Sequence, residues 1–437
     1  MNWDITYRRK ITDADTATAC IKSGDRVYIG GGAGAPVELI CGLMRRTMQS
    51  PDLPPLRNVE LVHILTFVDA PYAAPEYEGI FRHNALFIGP NVRDAVHQGR
   101  ADFTPVFLSD IPGLFLDGTL PIDVALVSLS PPDEHGFCSF GVEVGTTRPA
   151  AEAARIVVAQ VNRQMPRTFG DSFIHVSHLH HIVEVDHPLP EVPQGGSSEL
   201  HVRVGQCIAE MIPDGATLQM GIGSIPDAVL KNLGSHKDLG VHTELFSDGV
   251  IDMVEAGVIT CARKTFHPDK IIAGFLFGSQ RLYEFVHNNP IIELHPTHYV
   301  NDIFNIARNE KMVAINSALE VDLTGQVCAD SIGSRFYSGV GGQVDFIRGA
   351  ARSKGGKPIV AFLSTAKDGT VSRIVPLLSQ GAGVVTTRND VHYVVTEYGV
   401  ASLHGKTVRQ RARELINIAH PKFRDELIKA AHKLEYL

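Results

Sequence analysis

The chain opens the same way twice, and that repeat limits its fold more than any other feature. Cys20-Ile-Lys-Ser-Gly24 leads into the strand candidate Asp25-Arg-Val-Tyr-Ile29, the glycine loop Gly30-Gly-Gly-Ala-Gly-Ala-Pro36 and a helical stretch from Val37 to Met48. Much later, the amphipathic stretch Glu199 to Ile212 ends at Pro213-Asp-Gly215. The strand candidate Ala216-Thr-Leu-Gln-Met220, the glycine loop Gly221-Ile-Gly-Ser-Ile-Pro226 and a helical stretch from Asp227 to Leu233 follow. Gly24 aligns with Gly215, Val27 with Leu218, Gly30 with Gly221 and Gly32 with Gly223, while the prolines fall out of step by one residue. An interval this long is a repeated domain, not a solenoid period. A length of 437 residues also exceeds one ordinary core. Two similar α/β halves are therefore expected, and facing halves would put a glycine loop on each side of a cleft.

Strand, glycine loop, helix is the arrangement that brings backbone N–H groups close to an anion. The bland alternative is a tight turn that needs glycine only for its backbone angles, and the pattern alone does not choose. Further short β-rich runs alternate with helical stretches: 59–65, 85–88, 124–129, 271–277, 291–294, 312–315, 358–363 and 392–396. Alternation of this kind predicts mostly parallel sheets covered by helices. Pro188-Leu-Pro-Glu-Val-Pro-Gln-Gly-Gly-Ser-Ser198 reads as the linker between the halves.

A net charge of -8 with no dense Lys/Arg stripe argues against nucleic acid as a partner. No apolar run approaches the roughly 20 residues of a membrane span, and the N-terminal residues lack the apolar core of a signal peptide. The six cysteines are scattered without a CxxC pair, which predicts reduced thiols and a cytoplasmic location. His175, His178, His180, His181 and His187 crowd one segment. Interleaved apolar residues would send them to both faces of a strand, so hydrogen-bonded or solvated histidines are expected rather than a metal site. Lys406, Arg409, Arg411 and Arg413 read as a solvated or ion-paired helix face rather than a phosphate site.

The stretch that can carry chemistry is Val241-His-Thr-Glu-Leu-Phe-Ser-Asp-Gly249. A short β-rich run delivers Glu244, and Ser247-Asp-Gly249 supplies a turn before helical spacing resumes at Val250. The expectation is a carboxylate at a strand end, the usual location of function in α/β proteins. A carboxylate there can be a general base or attack a carbonyl directly. A thioester is a feasible target because its thiolate leaves readily. Attack requires N–H donors for the oxyanion, which Gly32 to Gly34 or Gly341 and Gly342 can provide. The competing reading makes Glu244 a salt-bridge or helix-capping residue. Glu397, after another apolar run, is the rival carboxylate, with a substrate-orienting or a structural role.

Five stretches resemble the acetyl-CoA hydrolase/transferase family of class I CoA-transferases. They are Leu218-Gln-Met-Gly-Ile-Gly-Ser-Ile-Pro226, His242-Thr-Glu-Leu-Phe-Ser-Asp-Gly249, Gly339-Val-Gly-Gly-Gln-Val-Asp-Phe346, Ser130-Pro-Pro-Asp-Glu-His-Gly-Phe137 and Thr396-Glu-Tyr-Gly-Val-Ala401. The likeness runs almost end to end. It implies two similar open α/β domains, residues 1–190 and 191–437, with the active site between them and the catalytic glutamate in the second. It implies a nucleophile at Glu244 and coenzyme A contacts at Gln219, Met220, Gly221, Ile222, Gly223, Leu319, Gly341, Gly342 and Gln343. Substrate or oxyanion contacts are expected at Gly32, Ala33, Gly34 and Glu397. Coenzyme A would be a co-substrate, with no metal. The implied reaction moves CoA between a short-chain acyl-CoA (4-hydroxybutyryl-, butyryl- or acetyl-CoA) and a free acid such as acetate. It proceeds by ping-pong through a glutamyl-CoA thioester, with acyl-CoA hydrolysis on the same glutamate as the alternative. The partners are then acyl-CoA and small acids, and two halves with large apolar faces are compatible with a homodimer.

Overall fold

The computed structural model describes residues 3–47, 54–192 and 196–437. The expected helix end at Met48 and Pro193 to Gly195 of the expected linker lie outside the described residues. The chain forms two compact units, Met1–Pro193 with Ile272–Tyr299, and Gln194–Ile271 with Val300–Leu437. The second stretch of the first unit differs from the simple division at residue 190. Residues 272–299 depart from the second half of the sequence and complete the first unit.

The first unit is built on seven parallel strands: β1 (Arg26–Ile29), β2 (Val59–His63), β3 (Phe81–Ala85), β4 (Asp102–Phe103), β5 (Val124–Leu129), β6 (Ile156–Asn162) and β7 (His181–Val185). Their order in the sheet is β7-β6-β5-β1-β2-β3-β4. The strand order reverses between β1 and β5, the point at which an open parallel sheet leaves a crevice at its carboxyl edge. All six residues of β5 are buried, as expected for a continuous apolar run covered on both faces. Strand β3 ends where 85–88 was expected to begin. Phe81 and His83 are buried and Arg82 exposed, so the run before Ala85 carries the alternation and Leu86 to Ile88 leave the sheet.

The second unit is built on a sheet of six strands: β8 (Thr217–Met220), β9 (Gly240–Val241), β10 (Met312–Asn316), β11 (Lys357–Ala361), β12 (Tyr393–Thr396) and β13 (Gly399–Ser402). Their order is β9-β8-β10-β11-β12-β13, parallel except for the last pair. Its switch point lies between β8 and β10.

The repeat is visible in the backbone. Gly24 and Gly215 turn into β1 and β8 with φ of +83° and +71°, a conformation that other residues adopt only with strain. The helices flanking each strand pack through one glycine. A Cβ on Gly42, in helix Val37–Arg45, would meet the Ala14 carbonyl at 2.7 Å. One on Gly205, in helix Glu199–Ala209, would meet the Ala228 carbonyl at 2.7 Å.

The stretch Ser130 to Gly141 is ordered rather than loose. Phe137–Ser139 pairs antiparallel with Phe173–His175, and the Asp133 carboxylate accepts the N–H groups of His135 and Phe137. Residues 190 and 192 are also tied down. Val192 N–H donates to the Gly278 carbonyl at 3.0 Å, and the Tyr283 hydroxyl to the Pro190 carbonyl at 2.7 Å.

Candidate active site

Glu244 does not end a strand. Strand β9 stops at Val241, and Glu244 occupies irregular chain before a short extended pair, Leu245–Phe246, and the helix Gly249–Glu255. Its neighbours fix it instead. The Thr243 hydroxyl donates to the Met220 carbonyl at 3.0 Å, at the end of β8, and His242 Nε2 lies 2.8 Å from the Val300 carbonyl oxygen. These two bonds place Glu244 beside Asn301. Asn301 Nδ2 donates to Glu244 Oε2 at 3.2 Å, and Asp345 Oδ2 lies 3.5 Å from the same nitrogen.

Gly342 closes the other side. A Cβ there would lie 2.0 Å from Glu244 Oε2 and 2.2 Å from Asn301 Nδ2. Its φ of -97° and ψ of 7° suit any residue, so close approach alone demands glycine at this point. Gly342 caps the helix Gln343–Arg352, and its N–H faces the carboxyl group. The positive end of that helix therefore favours negative charge at Glu244. Burial works in the opposite direction and dominates. With the nearby Asp345 carboxylate it pushes the Glu244 carboxyl up from 4.5 to about 7, against the lowering hydrogen bonds of Asn301 and Gly342. As a residue Glu244 is only partly buried.

The glycine segment lies next to this cluster. A pocket of about 350 Å³ opens at the switch point, lined by Gly221, Ile222 and Gly223 after β8, by Ile315 to Ser317 around the end of β10, and by Arg373. The start of helix Ser224–Lys231 faces the same space. Gln219 is buried and accepts a hydrogen bond from Asn316 at 3.0 Å, so it braces the two strands that frame the pocket. Leu319 does not line it. The Leu319 and Ala318 carbonyls hold the Arg373 guanidinium, which does.

Other expected site residues lie elsewhere. Gly342 lies against Glu244, and neither it nor its neighbours Gly341 and Gln343 line the pocket. Glu397 has both oxygens engaged by Ser364, its N–H at 2.8 Å and its hydroxyl at 2.6 Å. In the first unit, Gly32 and Gly34 cannot both serve as free donors. Gly32 N–H donates to the Leu65 carbonyl at 2.7 Å and Gly34 N–H to the Gly31 carbonyl at 3.0 Å. Gly32 has a φ of +57°, and a Cβ on it would fall 2.3 Å from Phe277. Ala33 is buried beside them.

Among the crowded histidines, His180 Nδ1 accepts the Val157 N–H at 3.0 Å and His175 Nδ1 meets the Ser177 hydroxyl at 2.7 Å. Among the described residues, no group of three or more His, Cys, Asp or Glu is placed to hold a metal ion. Among those residues, no helix is long and apolar enough to cross a membrane.

Residues 1–193 match the acetyl-CoA hydrolase/transferase N-terminal domain and residues 278–431 its C-terminal domain. A 4-hydroxybutyrate coenzyme A transferase of Clostridium kluyveri is 51% identical over 428 residues, 98% of each chain. The chain belongs to the acetyl-CoA hydrolase/transferase family. Within that family it is an enzyme of the CoA-transferase class, and CoA thioesters are the substrates of such enzymes. A Fasciola hepatica succinyl-CoA:acetate/propanoyl-CoA:succinate CoA transferase is 49% identical, covering 96% of this chain and 87% of that one. A solved 4-hydroxybutyrate CoA-transferase of Porphyromonas gingivalis has a TM-score of 0.85 at 46% identity, covering 99% of this chain and all of that one.

Asn301 and Asp345 were not singled out from the sequence. Asp345 lies inside a quoted motif, but Asn301 is distant from every motif and becomes visible only when residues 244, 301 and 342 meet.

Proposed function

We propose that this CoA-transferase works through a covalent intermediate on Glu244, exchanging CoA between a short-chain acyl-CoA and a free carboxylate. 4-Hydroxybutyryl-, butyryl- and acetyl-CoA with acetate are the expected pairs. The observation that carries the reading is the Glu244 carboxylate held between the Asn301 amide and Gly342, where no side chain fits.

One Glu244 oxygen attacks the thioester carbonyl, the C–S bond breaks, and CoA leaves as a thiolate. The product is an acyl-glutamyl anhydride. The thiolate then attacks the Glu244 carboxyl carbon, the bond to the acyl oxygen breaks, and the first acid departs as carboxylate. An incoming carboxylate reverses both steps. No net proton moves, so no separate general base is required. In the second step the oxyanion develops on Glu244 itself, whose Oε2 already accepts from Asn301 Nδ2 and whose carboxyl group faces the Gly342 N–H. The carboxyl near 7 suits the role, since a more basic carboxylate is a better nucleophile and is still half ionised at neutral pH.

The Gly221–Gly223 pocket is the proposed CoA contact, with Gln219 and Met220 bracing it and Leu319 acting through Arg373. The Gly32–Gly34 turn of the first unit is the proposed acid-binding element, through contact at Ala33 and not through the Gly32 and Gly34 N–H groups, which are already bonded. Binding energy from the remote parts of CoA would hold the thioester in line.

Incubation with an acyl-CoA followed by mass spectrometry tests the mechanism. A CoA adduct on the peptide carrying Glu244, absent from Glu244→Ala, is expected. Turnover without any such adduct overturns it. Release of free acid at a rate indifferent to added acetate would instead make the enzyme a hydrolase.

A further inference from the structure

The first unit holds a second buried carboxyl group beside its own glycine turn. Glu143 is 2% exposed and takes no part in the mechanism above. Its backbone is anchored by an antiparallel bridge to Phe275, and the N–H groups of Val144 and Gly145 both donate to the Gly274 carbonyl. Glu143 Oε1 accepts the Thr146 N–H at 3.0 Å. The N–H groups of Gly31 and Thr147 also face the carboxyl group, but its buried Oε2 makes no hydrogen bond of good geometry. There is no slack around it. A Cβ on Gly34 would approach Glu143 Cβ to 3.2 Å, and one on Gly145 would approach Oε1 to 3.3 Å. The Gly30–Gly34 turn is thus seated between Glu143 and Phe277.

A buried oxygen without a partner is costly when charged and far less costly when the group is neutral. Burial pushes the carboxyl up to about 7, and the titratable group that faces it is Tyr28, whose hydroxyl is bonded to Thr146 and Thr147. The turn that Glu143 supports is the one assigned above to the acid substrate, itself an anion.

We propose that Glu143 is a positioning residue for the acid substrate. As a neutral carboxylic acid it seats the Gly30–Gly34 turn, and on ionising it opposes the binding of a carboxylate there. The inference rests on the assignment of that turn to the acid.

Steady-state kinetics separate this group from Glu244. In a ping-pong scheme, kcat/KM for the acid reports the enzyme whose Glu244 is already a thioester and no longer titrates. Acetate ionises well below the range of interest. For the wild type, kcat/KM for acetate should fall roughly 25-fold from pH 6.5 to pH 8.5. In Glu143→Gln it should stay flat, near the wild-type value at pH 6.5, while kcat/KM for acyl-CoA keeps its own pH dependence. A folded Glu143→Gln with the wild-type slope for acetate overturns the proposal. Where that variant does not fold, the wild type decides by comparing acetate with acetamide, a neutral competitor for the acid. Acetate binding that weakens with pH while acetamide binding does not supports the proposal, and parallel behaviour overturns it. Absence of a thioester on Glu244 would remove the mechanism above yet leave this comparison readable.

Discussion

Gly342→Ala is the most exacting test of the site because it adds one methyl group and nothing else. The backbone at Gly342 has φ -97° and ψ 7°, so alanine meets no conformational strain. The new carbon would stand 2.0 Å from Glu244 Oε2 and 2.2 Å from Asn301 Nδ2. Ordinary contact needs roughly 3.5 Å, so both groups must retreat by more than about 1 Å. That displacement breaks the Asn301–Glu244 bond of 3.2 Å and carries the carboxylate away from the helix N-terminus. A misplacement of this size, with one donor lost, is worth about a hundred- to a thousandfold in rate. Transfer of CoA to labelled acetate should fall by that factor, and the Glu244 adduct should fail to build up in mass spectra. KM for acyl-CoA should change little, since the Gly221–Gly223 pocket is untouched. Activity within tenfold of the wild type, with the adduct still forming, would refute the reasoning.

Other consequences follow from the same contacts. Glu244→Gln should abolish turnover yet raise stability. The folded-state carboxyl near 7 lies above its ordinary 4.5, so its contribution is fully present at low pH and is lost as pH rises through 7. That shift corresponds to roughly 3 kcal/mol, and about half is expected because the residue is only partly buried. Urea unfolding at pH 5 and pH 8 should show the variant gaining on the wild type at the higher pH, and equal slopes would count against it. Asp345→Asn removes a charge that raises the Glu244 carboxyl, so the rise of kcat/KM for acyl-CoA with pH should move to lower pH. An unmoved profile would exclude that coupling. Glu397→Ala strands two Ser364 donors and should cost about 1–3 kcal/mol in unfolding measurements, while the Glu244 adduct still forms. Loss of the adduct in a folded Glu397→Ala would give Glu397 a direct part in the chemistry.

Much of the architecture was legible because local rules and the global fold agree. Gly24 and Gly215 are glycine for their backbone angles, and the apolar runs at Val124–Leu129 and Thr217–Met220 are strands buried in parallel sheets. The pattern around Glu244 suggested a strand end, which is not its local structure. Thr243 and His242 hold that residue through long-range bonds that no periodicity encodes. Asn301 was invisible for the same reason. Glu143 reads in the sequence as one more charge in a glycine-rich stretch, Gly141-Val-Glu-Val-Gly145. Only the packing of Gly34 and Gly145 against it reveals a buried acid. The glycines of the first loop looked like free donors because sequence gives no account of where their N–H groups are already spent.

The return of residues 272–299 to the first unit has a consequence for how the chain is made. Phe277, which fills the space under Gly32, and Gly274, which anchors the backbone after Glu143, are synthesised well over a hundred residues after the turn they support. Emerging from the ribosome, the first unit has its seven-stranded sheet long before it has those props. Its final closure must wait for sequence that lies beyond the Glu244 stretch of the other unit. Contacts so distant in sequence close slowly. A fragment ending near residue 193 should therefore collapse with its glycine turn unsupported, and the two units are not expected to be separable by a single cut.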